Sequence, residues 1–280
     1  MTNIQHLLVA TDLSERSERA VARALRAAQG GRMTALHVVT AGLPVDLAGR
    51  WQKDAEDFLI KRLSGVSSPS SPDIETVVVT GDPFSAIIGE AARRQVDLIV
   101  MGEPRRQGYP DMFTGTTAER VIRFSDRPVL MVRREASDPY RRILVAFDGS
   151  EGSIRALKTA LAMAPKAEFH IVHAWRPPHA SFGDTEVARV AITAENNRLR
   201  PLIKQAANET ITSTHPGAAN VMIDMVEDNP YVVMRNQMSW ADLLVLGTHS
   251  KGSLATSVTI GSLARHLLAE TACDVLVSRP

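Results

Sequence analysis

The sequence predicts an α/β protein of two similar doubly wound domains, each a mostly parallel five-stranded sheet with helices on both faces. Three observations carry that expectation. The stretch Leu7-Leu8-Val9-Ala10-Thr11-Asp12-Leu13-Ser14 returns as Ile143-Leu144-Val145-Ala146-Phe147-Asp148-Gly149-Ser150. A second landmark, Asp97-Leu98-Ile99-Val100-Met101-Gly102, returns as Asp242-Leu243-Leu244-Val245-Leu246-Gly247, so one structural plan is used twice. Between the landmarks, short apolar runs alternate with stretches of helical periodicity, an order that requires right-handed crossovers and a sheet covered on both faces.

In the first copy, runs at Ile4–Ala10, Met33–Val39, Thr76–Val79, Leu98–Met101 and Val129–Val132 are brief and rich in β-branched residues, as strands buried on both faces should be. The first helix is expected over Ser14–Gln29, where Ala20, Val21, Ala24, Leu25 and Ala28 form one apolar stripe and Gly30-Gly31 ends it. Further helices are expected over Leu47–Leu63, over Pro83–Gln95 with proline in its first turn, and over Thr116–Phe124. The second copy repeats the order, with strands at Ile143–Ala146, Glu168–Trp175, Val221–Val226, Leu243–Leu246 and Val275–Ser278. A polar stretch, Arg134-Glu135-Ala136-Ser137-Asp138-Pro139, marks the boundary, giving domains over 1–135 and 140–280. The Ser-, Gly- and Pro-rich stretch 64–72 is expected to be an exposed connection without chemistry.

At 280 residues, 44% hydrophobic and 22% charged, the chain has the profile of a globular protein with a core in each half. Its 32 basic and 31 acidic residues leave no bulk field to favour nucleic acid or an anionic membrane, and no apolar run approaches the length of a bilayer span. Cys273 stands alone and cannot form an internal disulfide, and Met1–His6 lacks a secretory layout, so a reducing cytoplasm is the expected setting.

Ligands of open α/β sheets collect beyond the carboxyl ends of strands. Asp12 and Asp148 sit there, each able either to accept hydrogen bonds from a ribose or base, or to cap the helix starting near Ser14 or Ser150. After the fourth strand of the second copy, Gly247-Thr248-His249-Ser250 opens a loop of small and polar residues ending in Gly261-Ser262, where an apolar helix starts. Backbone amides at such a helix start hold phosphate well, with Ser262 as a further hydroxyl donor. The alternative is an ordinary connection with Ser262 as N-cap.

With these residues the chain resembles a tandem universal stress protein. Each domain of that family follows strand one with an Asp, and strand four with glycine, two residues, glycine, nine residues, glycine and Ser or Thr. The resemblance implies a sheet order of 3-2-1-4-5. In ATP-binding members the signature wraps the phosphates, while the Asp and the end of strand two hold the adenosine. Carried over, the strand-two positions are Val38 and Ala174, contacting adenine through their backbone. In the first copy Gly102, Gly115 and Thr116 keep the spacing, but Arg105 replaces the second glycine and Pro104 precedes it; Arg105 and Arg106 are then either an obstruction or cations for phosphate. In the second copy Ser250 replaces that glycine, and ten residues rather than nine precede Gly261. The second site is therefore the preferred one for ATP.

Other chemistries lack support. The histidines do not cluster at ligand spacing, with His170 and His173 on opposite faces of a strand. Neither a nucleophile elbow, a P-loop nor a dinucleotide fingerprint is present. Glu56-Asp57 and Glu227-Asp228 are expected on solvated faces, while Trp51, Trp175, Trp240 and the methionines Met222, Met225, Met234 and Met238 are expected to serve packing. The expectation is an ATP-binding switch or sensor, with Mg2+ as a companion to the nucleotide and at most slow hydrolysis. The rival is a nucleotide-free scaffold; in either case the halves form an intramolecular pseudo-dimer, compatible with a homodimer.

Overall fold

The structure, a computed structural model, describes residues 4–28, 30–40, 45–64, 72–103, 115–136, 138–175, 186–217, 220–248 and 261–280. They form two compact units that change over between Pro139 and Tyr140. The first unit runs β1 (His6–Thr11), α1 (Glu15–Ala27), β2 (Arg32–Thr40), α2 (Val45–Leu63), β3 (Asp73–Gly81), α3 (Pro83–Arg93), β4 (Leu98–Gly102), α4 (Thr117–Phe124) and β5 (Val129–Val132). Its strands pair in parallel in the order β3-β2-β1-β4-β5.

The second unit runs β6 (Arg142–Ala146), α5 (Glu151–Met163), β7 (Glu168–Trp175), α6 (Glu186–Thr214), β8 (Val221–Glu227), α7 (Pro230–Gln237), β9 (Leu243–Gly247), α8 (Ser262–Glu270) and β10 (Asp274–Ser278). Its parallel order is β8-β7-β6-β9-β10. In each unit the chain winds one way from the first strand and returns to wind the other, so a crevice opens between the carboxyl ends of the first and fourth strands.

Covering on both faces explains why the central strands are continuous apolar runs. Leu7, Leu8 and Val9 of β1, and Ile143, Leu144 and Val145 of β6, have no exposed surface. Each large side chain so buried contributes about 1.5–3 kcal/mol. The aspartates of the second landmark act at the opposite end of the sheet from the crevice. The Asp97 carboxylate accepts the backbone N–H groups of Gln5 (2.9 Å) and His6 (3.0 Å); that of Asp242 accepts those of Arg141 and Arg142, both at 3.1 Å. Each ties the entry of the fourth strand to the entry of the first, fixing their register.

Several boundaries differ from expectation for identifiable reasons. Strand β3 extends from Asp73 because it pairs with β2 along its whole length, although its flanking residues are polar. Helix α3 stops at Arg93, and Gln95 takes φ 52°, a left-handed conformation that ends the helix. Of the residues expected to pack, Trp175 and Met234 are buried, whereas Trp51 is 59% and Met222 49% exposed. Trp51 lies on the outer side of α2, whose inner residues Ala55 and Leu59 cover Val39 and Val78. Trp240 meets the His170 ring edge-on at 6.0 Å. Glu56, Asp57, Glu227 and Asp228 are exposed. Among the described residues no helix is long and apolar enough to cross a membrane, and no group of His, Cys, Asp and Glu is placed to hold a metal ion.

Candidate functional site

The first turn after β1 is built by its own sequence. The Asp12 carboxylate accepts the Ser14 backbone N–H at 3.1 Å and also the Ser14 hydroxyl. Ser14 in turn is the N-cap of α1, its hydroxyl facing the Ser17 N–H. The second unit repeats this: Asp148 accepts the Ser150 N–H at 3.0 Å, and Ser150 caps α5 through Ser153. The aspartates are thus not the caps. They close an Asx-turn that presents the serine, leaving the carboxylate at the crevice. The turn needs a left-handed residue in its middle: Gly149 has φ 76°, and Leu13 holds φ 62° in the corresponding place, packed against the Val39, Ala55, Leu59 and Val78 cluster.

A histidine on the neighbouring strand braces each turn. His37 Nδ1 lies 2.8 Å from the Thr11 carbonyl, and His173 Nδ1 lies 2.8 Å from that of Phe147. Because a carbonyl only accepts, Nδ1 carries the proton in both rings. This brace, directly before each aspartate, was not anticipated from the sequence, although the same histidine recurs before Val38 and Ala174.

Each crevice contains a cavity. In the first unit it measures about 380 Å3 and is lined by Asp12, Val38, Gly102 and Thr116, among other residues. In the second it measures about 230 Å3, with Asp148, Ala174, Gly247 and Gly261 in its wall. The fold thus brings four sequence-predicted residues of each half to one place. Typical small-molecule pockets occupy ~300–1,000 Å3, which the first cavity reaches and the second does not. A larger groove of about 920 Å3 runs between α1 and α2, but none of the predicted residues lines it. Arg105, His249 and Ser250 lie outside the described residues.

The helix that follows each fourth strand starts differently in the two units. Thr116 is the N-cap of α4, accepting the Glu119 N–H at 3.1 Å, while the Glu119 carboxylate accepts the N–H of Gly115. This is a capping box displaced by one residue, and Gly115 has φ 81°, a conformation glycine supplies without strain. In the second unit Gly261 is the N-cap with φ −53° and supplies no side-chain cap, and Ser262 is the first residue of α8 rather than its cap. The added loop residue therefore accompanies a one-residue slip in the helix start and an N-cap, Gly261, that has no side chain to cap the helix.

The paired glycines Gly102 and Gly247 also do different structural work. A Cβ on Gly102 would stand 3.1 Å from the Arg16 carbonyl oxygen, a tight approach. On Gly247 it would overlap the Ser153 amide, lie 2.6 Å from Ser153 Cα and 2.7 Å from the Gly152 carbonyl carbon. In the second unit, α5 rests directly on the end of β9. Residues that the sequence did not mark as site residues complete the cavities: Arg16, Ser17, Pro83, Ile87 and Thr117 in the first, His173, Pro230 and Met234 in the second. The recurrence of proline one residue into α3 and α7 was the available signal for part of that wall.

Comparison with known proteins agrees with this architecture. The sequence matches the Universal stress protein family over residues 3–133 and again over 139–279. It is 29% identical over 140 residues to Universal stress protein MJ0531 of Methanocaldococcus jannaschii, a match that spans 46% of this chain and 81% of that one. Among solved structures, a universal stress protein from Archaeoglobus fulgidus superposes with a TM-score of 0.68 at 21% identity, covering 99% of this chain and 98% of its own. A functionally unknown protein from Pseudomonas aeruginosa superposes with a TM-score of 0.65 at 19% identity, covering 99% and 93%. The two structural likenesses speak for the fold, and the two family matches together span nearly the entire sequence. The chain belongs to the universal stress protein family and carries two of its domains in tandem.

Proposed function

We propose that this protein binds an adenine nucleotide, ATP in the first instance, in the crevices at the carboxyl ends of its strands and acts as a ligand-controlled switch or sensor. The observation that carries the reading is the convergence, in each unit, of the strand-one aspartate, the strand-two end and the strand-four glycine on a single cavity. Asp12 and Asp148 would accept the ribose hydroxyls, the backbone at Val38 and Ala174 would meet the base, and the starts of α4 and α8 would face the phosphates. When present, Mg2+ would neutralise phosphate charge, and any hydrolysis would be slow.

The scaffold reading has its own support in the 230 Å3 volume of the second cavity and in Arg105 at a glycine position of the first loop. Heating the purified protein with and without millimolar Mg-ATP separates the two. Nucleotide at one hundred times its dissociation constant adds about 2.7 kcal/mol to the native state, a rise of several degrees in Tm. A melting curve indifferent to Mg-ATP, with no nucleotide released on denaturing the purified protein, speaks for the scaffold.

A further inference from the structure

The two units differ in charge at corresponding positions of their cavities, and Arg16 is the centre of that difference. It is the second residue of α1, and its carbonyl oxygen is among the atoms closest to Gly102 at the end of β4. It therefore stands where the start of α1 meets the start of the phosphate-facing loop, in a cavity whose wall also contains Thr116 and Thr117. The position that matches it in the repeat is Gly152, where a Cβ would lie only 2.6 Å from the Thr248 carbonyl oxygen. A side chain fits in the first unit and is excluded from the second.

The charge around it gives this residue weight. The first cavity is lined by two carboxylates, Asp12 and Glu103, and Arg16 is the sole lysine or arginine among its described lining residues. Glu103 is partly offset by the buried Arg133, 3.9 Å away. At the start of α4 two amides are already engaged, since Thr116 takes the Glu119 N–H and Glu119 takes that of Gly115. Among the described lining residues, the wall a polyanionic ligand would face has net negative charge without Arg16.

We infer that Arg16 is the residue through which the first cavity recognises the phosphate of its ligand, so that this half selects a phosphorylated nucleoside over the bare nucleoside by a side-chain cation beside the start of α4. This inference rests on the nucleotide reading above and adds to it a specificity-determining residue. A guanidinium is suited to the role because it stays charged and can offer two parallel donors to one phosphate.

The test titrates the full chain with ATP and with adenosine, in wild type and in Arg16→Gln, and maps the labelling by 8-azido-ATP by peptide analysis. Loss of one charge-assisted contact corresponds to roughly a 10–100-fold weakening of ATP, while adenosine changes less than about twofold. Label is expected in first-half peptides, and Arg16→Lys should recover part of the ATP affinity. Equal weakening of ATP and adenosine, unchanged ATP affinity, or label confined to the second half overturns the role of Arg16 while leaving nucleotide binding standing. Failure of the wild type to bind either compound overturns the nucleotide reading and this inference with it.

Discussion

Gly247→Val is expected to destabilise the protein by about 3 kcal/mol or more, at the upper end of what overpacking does. The reason is the identity of the atoms in the way. A Cβ at this position would meet the Ser153 amide, Ser153 Cα and the Gly152 carbonyl carbon, all of them backbone of α5. A crowded side chain can change rotamer, but a helix backbone must move as a body, pulling Ala156, Leu157 and Ala160 from their fully buried places. Gly102→Val, at the matching position, meets its nearest backbone atom at 3.1 Å and should cost only about 1–2 kcal/mol. Urea unfolding monitored by far-UV circular dichroism measures both. A Gly247→Val midpoint equal to that of wild type would contradict the packing described for β9 and α5.

The second large effect is expected at the paired aspartates, and it separates their structural contribution from their contribution to binding. Asn retains the oxygen that closes the Asx-turn on Ser14 or Ser150, so the double variant Asp12→Asn/Asp148→Asn should stay within about 0.5 kcal/mol of wild-type stability. It loses the negative charge that strengthens hydrogen bonds from a ribose, contacts worth about 1.5–3 kcal/mol each. ATP affinity should therefore fall by roughly 10–100-fold at each unit that binds it. Replacement of both by Ala removes the turn as well, and stability should then fall together with affinity. Calorimetric titration beside thermal unfolding distinguishes the cases. An Asn double variant that binds ATP as wild type does would confine these carboxylates to the turn.

The fold was legible because its signals are redundant. Leu7-Leu8-Val9 and Ile143-Leu144-Val145 announce strands buried on both faces, and the apolar stripe after Ser14 announces the first helix, although its cap proved to be Ser14 and not Asp12. The family and its paired domains followed from two duplicated landmarks. Less of the site was legible, for reasons that lie in three-dimensional contact. The charge of Arg16 is visible in the sequence, but its place beside Gly102 depends on how α1 meets β4. The carbonyl brace by His37 and His173 depends on the register of β2 on β1 and of β7 on β6, and periodicity alone does not carry that information. The glycine signature marks Gly102 and Gly247 alike, yet only the closeness of α5 makes the second one so intolerant. The helix start after the second loop also escaped spacing arguments, because one added residue shifts the cap from a hydroxyl residue to Gly261.

Amide hydrogen exchange with and without millimolar Mg-ATP tests the central claim most directly, because it reports on both crevices at once. The account predicts slower exchange at the turns 12–14 and 148–150, at 102–103 and 247–248, and at the helix starts 115–119 and 261–265. The start of α8 should show the larger change of the two helix starts, since its N-cap Gly261 has no side chain while Thr116 already caps α4. Exchange unchanged at all of these positions, or slowed instead along the groove between α1 and α2, would contradict it.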